Sequence, residues 1–183
     1  MIVKQRPAEF AFTIIELLIV MAIIIILAGL VLGISGYAHE KGARSRAEAE
    51  IAAMSAALES YKADNGIYPT NSATEDLSST TTTPDSYKAA SQYLYSTISG
   101  DSDDDPTTPD TTGAKNYFGS ALKPNMMSPS PPGPGTYLRD PFGNSYGYST
   151  KQSKTGGGGY NPTYDLWSTG GSITDTAKWI KNW

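Results

Sequence analysis

Residues Phe12–Gly33 read FTIIELLIVMAIIIILAGLVLG, an apolar run interrupted only by Thr13 and Glu16. About 20 such residues let a helix cross a bilayer, so the stretch predicts a membrane span. Upstream lies MIVKQRPAEFA, which carries Lys4 and Arg6. Three readings of the segment compete. A secretory signal peptide is one, and Gly36-Tyr37-Ala38 supplies small residues for its cut. Its apolar region normally spans only about 7–15 residues, shorter than this run. An uncleaved signal anchor fits the length but leaves Glu16 without a reason to be there. The third reading is a cut between Ala11 and Phe12.

Glu16 decides among them. An acid in hydrocarbon costs about 2–3 kcal/mol even on insertion scales, and such residues are usually paired and functional. A cut after Ala11 frees an ammonium at Phe12, about 6 Å along the helix from Glu16 and on the same face. That amine pairs either with Glu16 of its own chain or with Glu16 of a neighbour in a polymer. Only the second pairing makes the carboxylate a register device. Glu16 also lies in the first turn, where the helix dipole favours negative charge.

Past the span the pattern changes. Ala47, Ile51, Met54, Leu58 and Tyr61 recur at spacings of four and three, one apolar stripe flanked by Arg46, Glu48, Glu50, Glu59 and Lys62. The upstream half is apolar all round, which suits lipid first and identical helices later. Gly29, Gly33, Gly36 and Gly42 allow close helix approach without forming a clean GxxxG. The helix is expected to stop in YKADNGIYPT, Tyr61–Thr70, where Asn65-Gly66 admits a positive φ and Pro69 forbids continuation.

A short basic leader followed by FTIIELLIV, with Glu fifth after the cut, resembles the class III signal of type IV pilins and type II secretion pseudopilins. The resemblance implies that a prepilin peptidase cuts between Ala11 and Phe12 and methylates the Phe12 amine. The family prefers Gly where this chain has Ala11. YKADNGIYPT, at its distance from Phe12, is similar to the end of the long helix in the major pseudopilin of type II secretion. A second tract, YLRDPFGNSYGYST from Tyr137, then YDLWSTGG and a final WIKNW, resembles the sheet region of the same protein. Together these cover about residues 12–70 and 137–183.

The expected fold class is therefore α+β, the pilin fold: a long N-terminal helix packed on a small C-terminal antiparallel sheet. The divisions are a leader (1–11), a transmembrane and assembly half-helix (12–36), an amphipathic half-helix (37–70), a variable region (71–136) and a sheet region (137–183). In the sheet region Tyr146 and Tyr148 alternate as one strand, and Tyr164, Leu166 and Ser168 as another, with the glycines 156–159 as a flexible turn between them. Residues 71–136 are rich in Ser, Thr, Pro, Asp and Gly and are expected to be mostly exposed loop. Tyr87–Ile98 and Tyr117–Leu122 are apolar enough for a short helix or turn.

Other signals are weaker. Gly143-Asn144-Ser145-Tyr146-Gly147 fits G-x-S-x-G, but the hydrolase motif needs a histidine after the serine, and the sole histidine, His39, precedes it. His39 reads as a polar residue at the membrane boundary. The glycine run lacks the Lys-Ser/Thr of a phosphate loop. Asp101, Asp103 and Asp105 begin like a calcium loop, but Pro106 stands where Gly is needed and Thr112 where Glu is needed, so a solvated acidic loop is expected. The resemblance implies calcium in the loop after the last strand, where Asp175 is the only acid. No other cofactor is expected.

Lys and Arg number 14 against 18 Asp and Glu, a net charge of −4, which argues against nucleic acid as a partner. Cysteine is absent, so no disulfide supports the domain. The functional expectation is a structural subunit, not an enzyme: a major pseudopilin whose filament supports protein export across the outer membrane. Expected partners are its own copies, minor pseudopilins or pilins, the prepilin peptidase and an inner-membrane assembly platform. The expected location is the bacterial inner membrane, single-pass, with the C-terminal domain in the periplasm. One alternative is a major type IV pilin of a surface filament for adhesion, motility or DNA uptake. Another is a signal-anchored periplasmic enzyme or binding domain.

Overall fold

The computed structural model describes residues 12–183. The leader and the cut after Ala11 lie outside the described residues, apart from Phe12 itself. The chain divides into two compact units, Met1–Lys41 and Gly42–Trp183. Helix α1 (Ile14–Asn65, 52 residues) contributes to each.

In the first unit the helix carries no core of its own. Large apolar side chains from Phe12 to Leu32 are all exposed, Leu32 by 77% and Ile14 by 81%. This is the one helix among the described residues long and apolar enough to cross a membrane. A helix apolar on every side gains nothing from water and is stabilised by lipid or by other helices.

In the second unit α1 becomes one-sided. Ala47, Ile51, Met54, Ala57 and Leu58 are buried, while Tyr61 is half-buried. Fully burying each of the larger side chains contributes roughly 1.5–3 kcal/mol. The helix stops where the sequence predicts: the Gly66 amide donates to the Lys62 carbonyl (2.8 Å) and Gly66 adopts φ +81. A Cβ is disfavoured there, which is why glycine ends the helix.

A three-stranded antiparallel sheet, ordered β3 (Gly147–Ser149), β4 (Asp165–Ser168) and β5 (Ile180–Lys181), packs on this stripe. Its register pairs Tyr148 with Leu166 and Trp167 with both Gly147 and Lys181. Successive strand residues point to opposite faces. Leu166 accordingly joins the core built on α1, whereas Trp167 joins a second cluster with Leu77, Tyr87, Ala90 and Trp179. The sheet is covered on both sides, and the alternation expected from Tyr164, Leu166 and Ser168 accounts for only one of them.

The second cover comes from residues 71–136, expected as mostly exposed loop. Helix α2 (Ser72–Glu75) is closed by a capping box between Asn71 and Thr74. Helix α3 (Lys88–Ser99) buries Ala90, Leu94, Tyr95 and Ile98 and packs on β2 (Tyr137–Leu138) and β3. Met126 and Met127 are buried as well, and β1 (Met127–Ser128) pairs with β2. A polar stretch thus supplies core because its few apolar residues recur where α3 and β1 place them inward. The longest mostly exposed stretch of the region is residues 102–116. A short helix α4 (Lys151–Thr155) precedes the glycine run. That run is tied rather than free: the Ser79 amide donates to the Gly158 carbonyl (3.0 Å).

Candidate functional site

At the start of α1, Phe12 is 74% exposed and Glu16 lies in the first turn. Thr13 and Glu16 bond reciprocally: the Glu16 amide donates to Thr13 Oγ1 (3.3 Å) and the Thr13 amide donates to Glu16 Oε2 (3.4 Å). This is a capping box, and it satisfies two of the amides a helix start leaves unpaired. The Thr-x-x-Glu spacing was visible in the sequence as a helix start in addition to a charge in lipid. The carboxylate is held only by the Thr13 amide and, at 3.5 Å, by the Thr13 hydroxyl, both long bonds, so its own helix holds it lightly.

Elsewhere the buried acids act as anchors for turns. Asp140 is 2% exposed; it accepts from Ser168 Oγ (2.5 Å) and from the amides of Phe142 (3.0 Å) and Asn144 (2.8 Å). Burial pushes its carboxyl up, against the lowering effect of these donors. Asp165 accepts from Ser79 Oγ (2.5 Å) and from the Tyr160 (2.8 Å) and Asn161 (2.8 Å) amides, closing the glycine turn. Asp101, expected in a solvated loop, is buried and accepts from the Tyr95 hydroxyl (2.5 Å). Asp103 and Asp105 do stay exposed or nearly so, their carboxylates turned onto local amides and Thr hydroxyls.

Glu50 is the side chain that sequence reading missed. Read as a polar flank, it is 7% exposed; it accepts from the Tyr146 hydroxyl (2.6 Å) and pairs with Arg46 Nε (3.1 Å). Burial raises its carboxyl above the ordinary value, while Tyr146 and Arg46 act in the other direction. Its position beside Ile51 on the stripe gave no local signal, because the partner Tyr146 is 96 residues away.

The residues of the G-x-S-x-G spacing serve packing. Ser145 is buried and bridges to Arg139 in the backbone ladder. Gly147 lies beneath the Trp167 ring, and a Cβ built there would fall 2.0 Å from the indole. His39 is exposed in the other unit. Asp175 is exposed and caps the turn Thr176–Lys178 through the Ala177 amide (3.1 Å).

The family model of Type II secretion system (T2SS), protein G, matches residues 36–116. Over those residues the chain is similar to the major pseudopilin of type II secretion, which is consistent with a type IV pilin-like chain. The match takes in the second half of α1, α2 and α3, including the part of the variable region where sequence reading found no resemblance. No curated protein and no solved structure matches the chain. A pseudopilin is a structural subunit of a secretion system, and its family is not a family of enzymes. The α+β arrangement of this chain, one long helix and small antiparallel sheets, is the arrangement the resemblance implies.

Proposed function

We propose that the chain is the major pseudopilin of a type II secretion system, polymerising with its own copies into a filament that supports protein export across the outer membrane. The observation that carries this reading is the match of residues 36–116 to protein G of that system. The exposed apolar half of α1 supports polymerisation, since it leaves the bilayer without exposure to water only by entering a bundle of like helices. In this reading the subunit is held in the inner membrane by that half-helix, with Gly42–Trp183 in the periplasm. Prepilin peptidase removes residues 1–11 and methylates Phe12. Minor pseudopilins and an inner-membrane platform complete the machine.

Glu16 is the proposed register residue. The Thr13 amide reaches its carboxylate only at 3.4 Å, so an incoming ammonium, which adds ion-pair attraction, can displace that bond. The test is in two parts. N-terminal mass analysis of the protein from cells should find Phe12 first and methylated. Glu16→Gln, which keeps the capping geometry and loses the charge, should insert normally and fail to assemble. Mature protein beginning at Met1, or normal filaments from Glu16→Gln, would sink the reading. A filament found outside the cell instead of in the periplasm would favour the surface pilin.

A further inference from the structure

The family resemblance implies a calcium ion in the loop that follows β4, and the residues of that loop do not fit one. Calcium takes about 6–8 oxygen ligands, several of them carboxylates. Between Thr169 and Trp179 the only acid is Asp175, and its Oδ1 caps the Ala177 amide (3.1 Å). No three His, Cys, Asp or Glu side chains gather to hold a metal among the described residues. Four carbonyls of the loop already accept bonds. Thr169 O accepts from the Ser172 amide (3.0 Å), and Ser172 O from Trp179 Nε1 (2.9 Å). Asp175 O accepts from the Lys178 amide (3.1 Å), and Thr176 O from the Trp179 amide (3.3 Å).

One bond differs from the rest. Arg44, half-buried on α1, donates Nη1 to the Lys178 carbonyl (2.8 Å) across 134 residues of sequence. The approach is tight. Gly170 is buried at φ +58, and a Cβ built on it would lie 2.2 Å from Lys178 O and 2.8 Å from Arg44 Nη1. Only a glycine lets the turn bring that carbonyl under the guanidinium. The next residue, Gly171 at φ +83, is similarly close to Phe142.

We propose that Arg44 takes the place of the cation. Its permanent positive charge gathers the loop onto α1 and holds the start of β5, so the sheet edge closes without metal. An arginine suits this role because it stays charged at any physiological pH and its fixed donors hold their direction. The proposal concerns the folding of Gly42–Trp183 and stands or falls apart from the filament role.

The test uses the full chain in detergent micelles, with EGTA or with millimolar calcium chloride, read by thermal melting and amide exchange. Wild-type protein should melt at the same temperature in both. Arg44→Met, which keeps the length and loses the charge, should speed exchange at Lys178, Trp179 and Ile180 about tenfold or more, the scale of a lost charged hydrogen bond. Exchange in α3 should not change, calcium should not restore the loop, and Arg44→Lys should recover much of the protection. A calcium-induced rise in melting temperature above about 3 °C in the wild-type protein would mark a bound ion and overturn the proposal. So would wild-type exchange at those amides in Arg44→Met. If Arg44→Met does not fold, the calcium comparison and Arg44→Lys still decide.

Discussion

Gly147→Ala should cost far more than a methyl group on a strand normally does. The added Cβ would stand 2.0, 2.2 and 2.4 Å from Cε2, Cζ2 and Cδ2 of Trp167, where carbon atoms normally rest about 3.5–4.0 Å apart. The indole must therefore retreat by roughly 1.5 Å, taking contact distance as the limit. It has nowhere to go: Trp167 is fully buried, with ring centroids 5.3 Å from Tyr87, 6.1 Å from Trp183 and 6.3 Å from Trp179. Overpacking usually costs about 1–3 kcal/mol, and expelling the ring moves toward the 3–5 kcal/mol of a Trp→Ala truncation. We expect about 3 kcal/mol, a fall in melting temperature of roughly 10 °C for a domain of this size. Thermal melting of the full chain in detergent, followed by near-UV circular dichroism of the indoles, measures it. In a Trp167→Ala background the same substitution should cost less than about 1 kcal/mol, because the clash is gone. A single mutant melting within about 2 °C of wild type, with its indole signal unchanged, would refute the packing argument.

Two further outcomes test the buried acids. Asp165→Ala strands Ser79 Oγ and the Tyr160 and Asn161 amides, and should lower the denaturant midpoint by the equivalent of about 3 kcal/mol at constant slope. A loss below about 1 kcal/mol would show that the glycine turn does not depend on it. Glu50 has a carboxyl raised by burial from its ordinary 4.5, so the folded state holds its proton longer than the unfolded chain does. Its contribution therefore declines as pH rises from about 4.5 toward the folded value. Glu50→Gln removes that decline, so its melting temperature relative to wild type should become more favourable as pH climbs through the window. A difference that stays flat with pH would defeat the assignment. Taking the difference also cancels Asp101, whose carboxyl burial raises in the same direction.

The sequence alone determined the features that repeat at short range. The Phe12–Gly33 run, the Ala47–Leu58 stripe and the stop at Asn65-Gly66 each depend on a few neighbouring residues and one helical period. The strands around Tyr148 and Leu166 were legible for the same reason, with a period of two. Tertiary structure decided what depends on partners far along the chain. Glu50 looks like a solvated flank until Tyr146 arrives, and Arg44 like any helix-surface cation until Gly170 brings the Lys178 carbonyl to it. Trp167 reads as an interruption in an alternating strand, but a second apolar cluster from residues 71–136 waits on its face. Local patterns record which side of an element is apolar. They carry no record of which distant donor will meet a buried carboxylate, because that is set by chain topology and not by period.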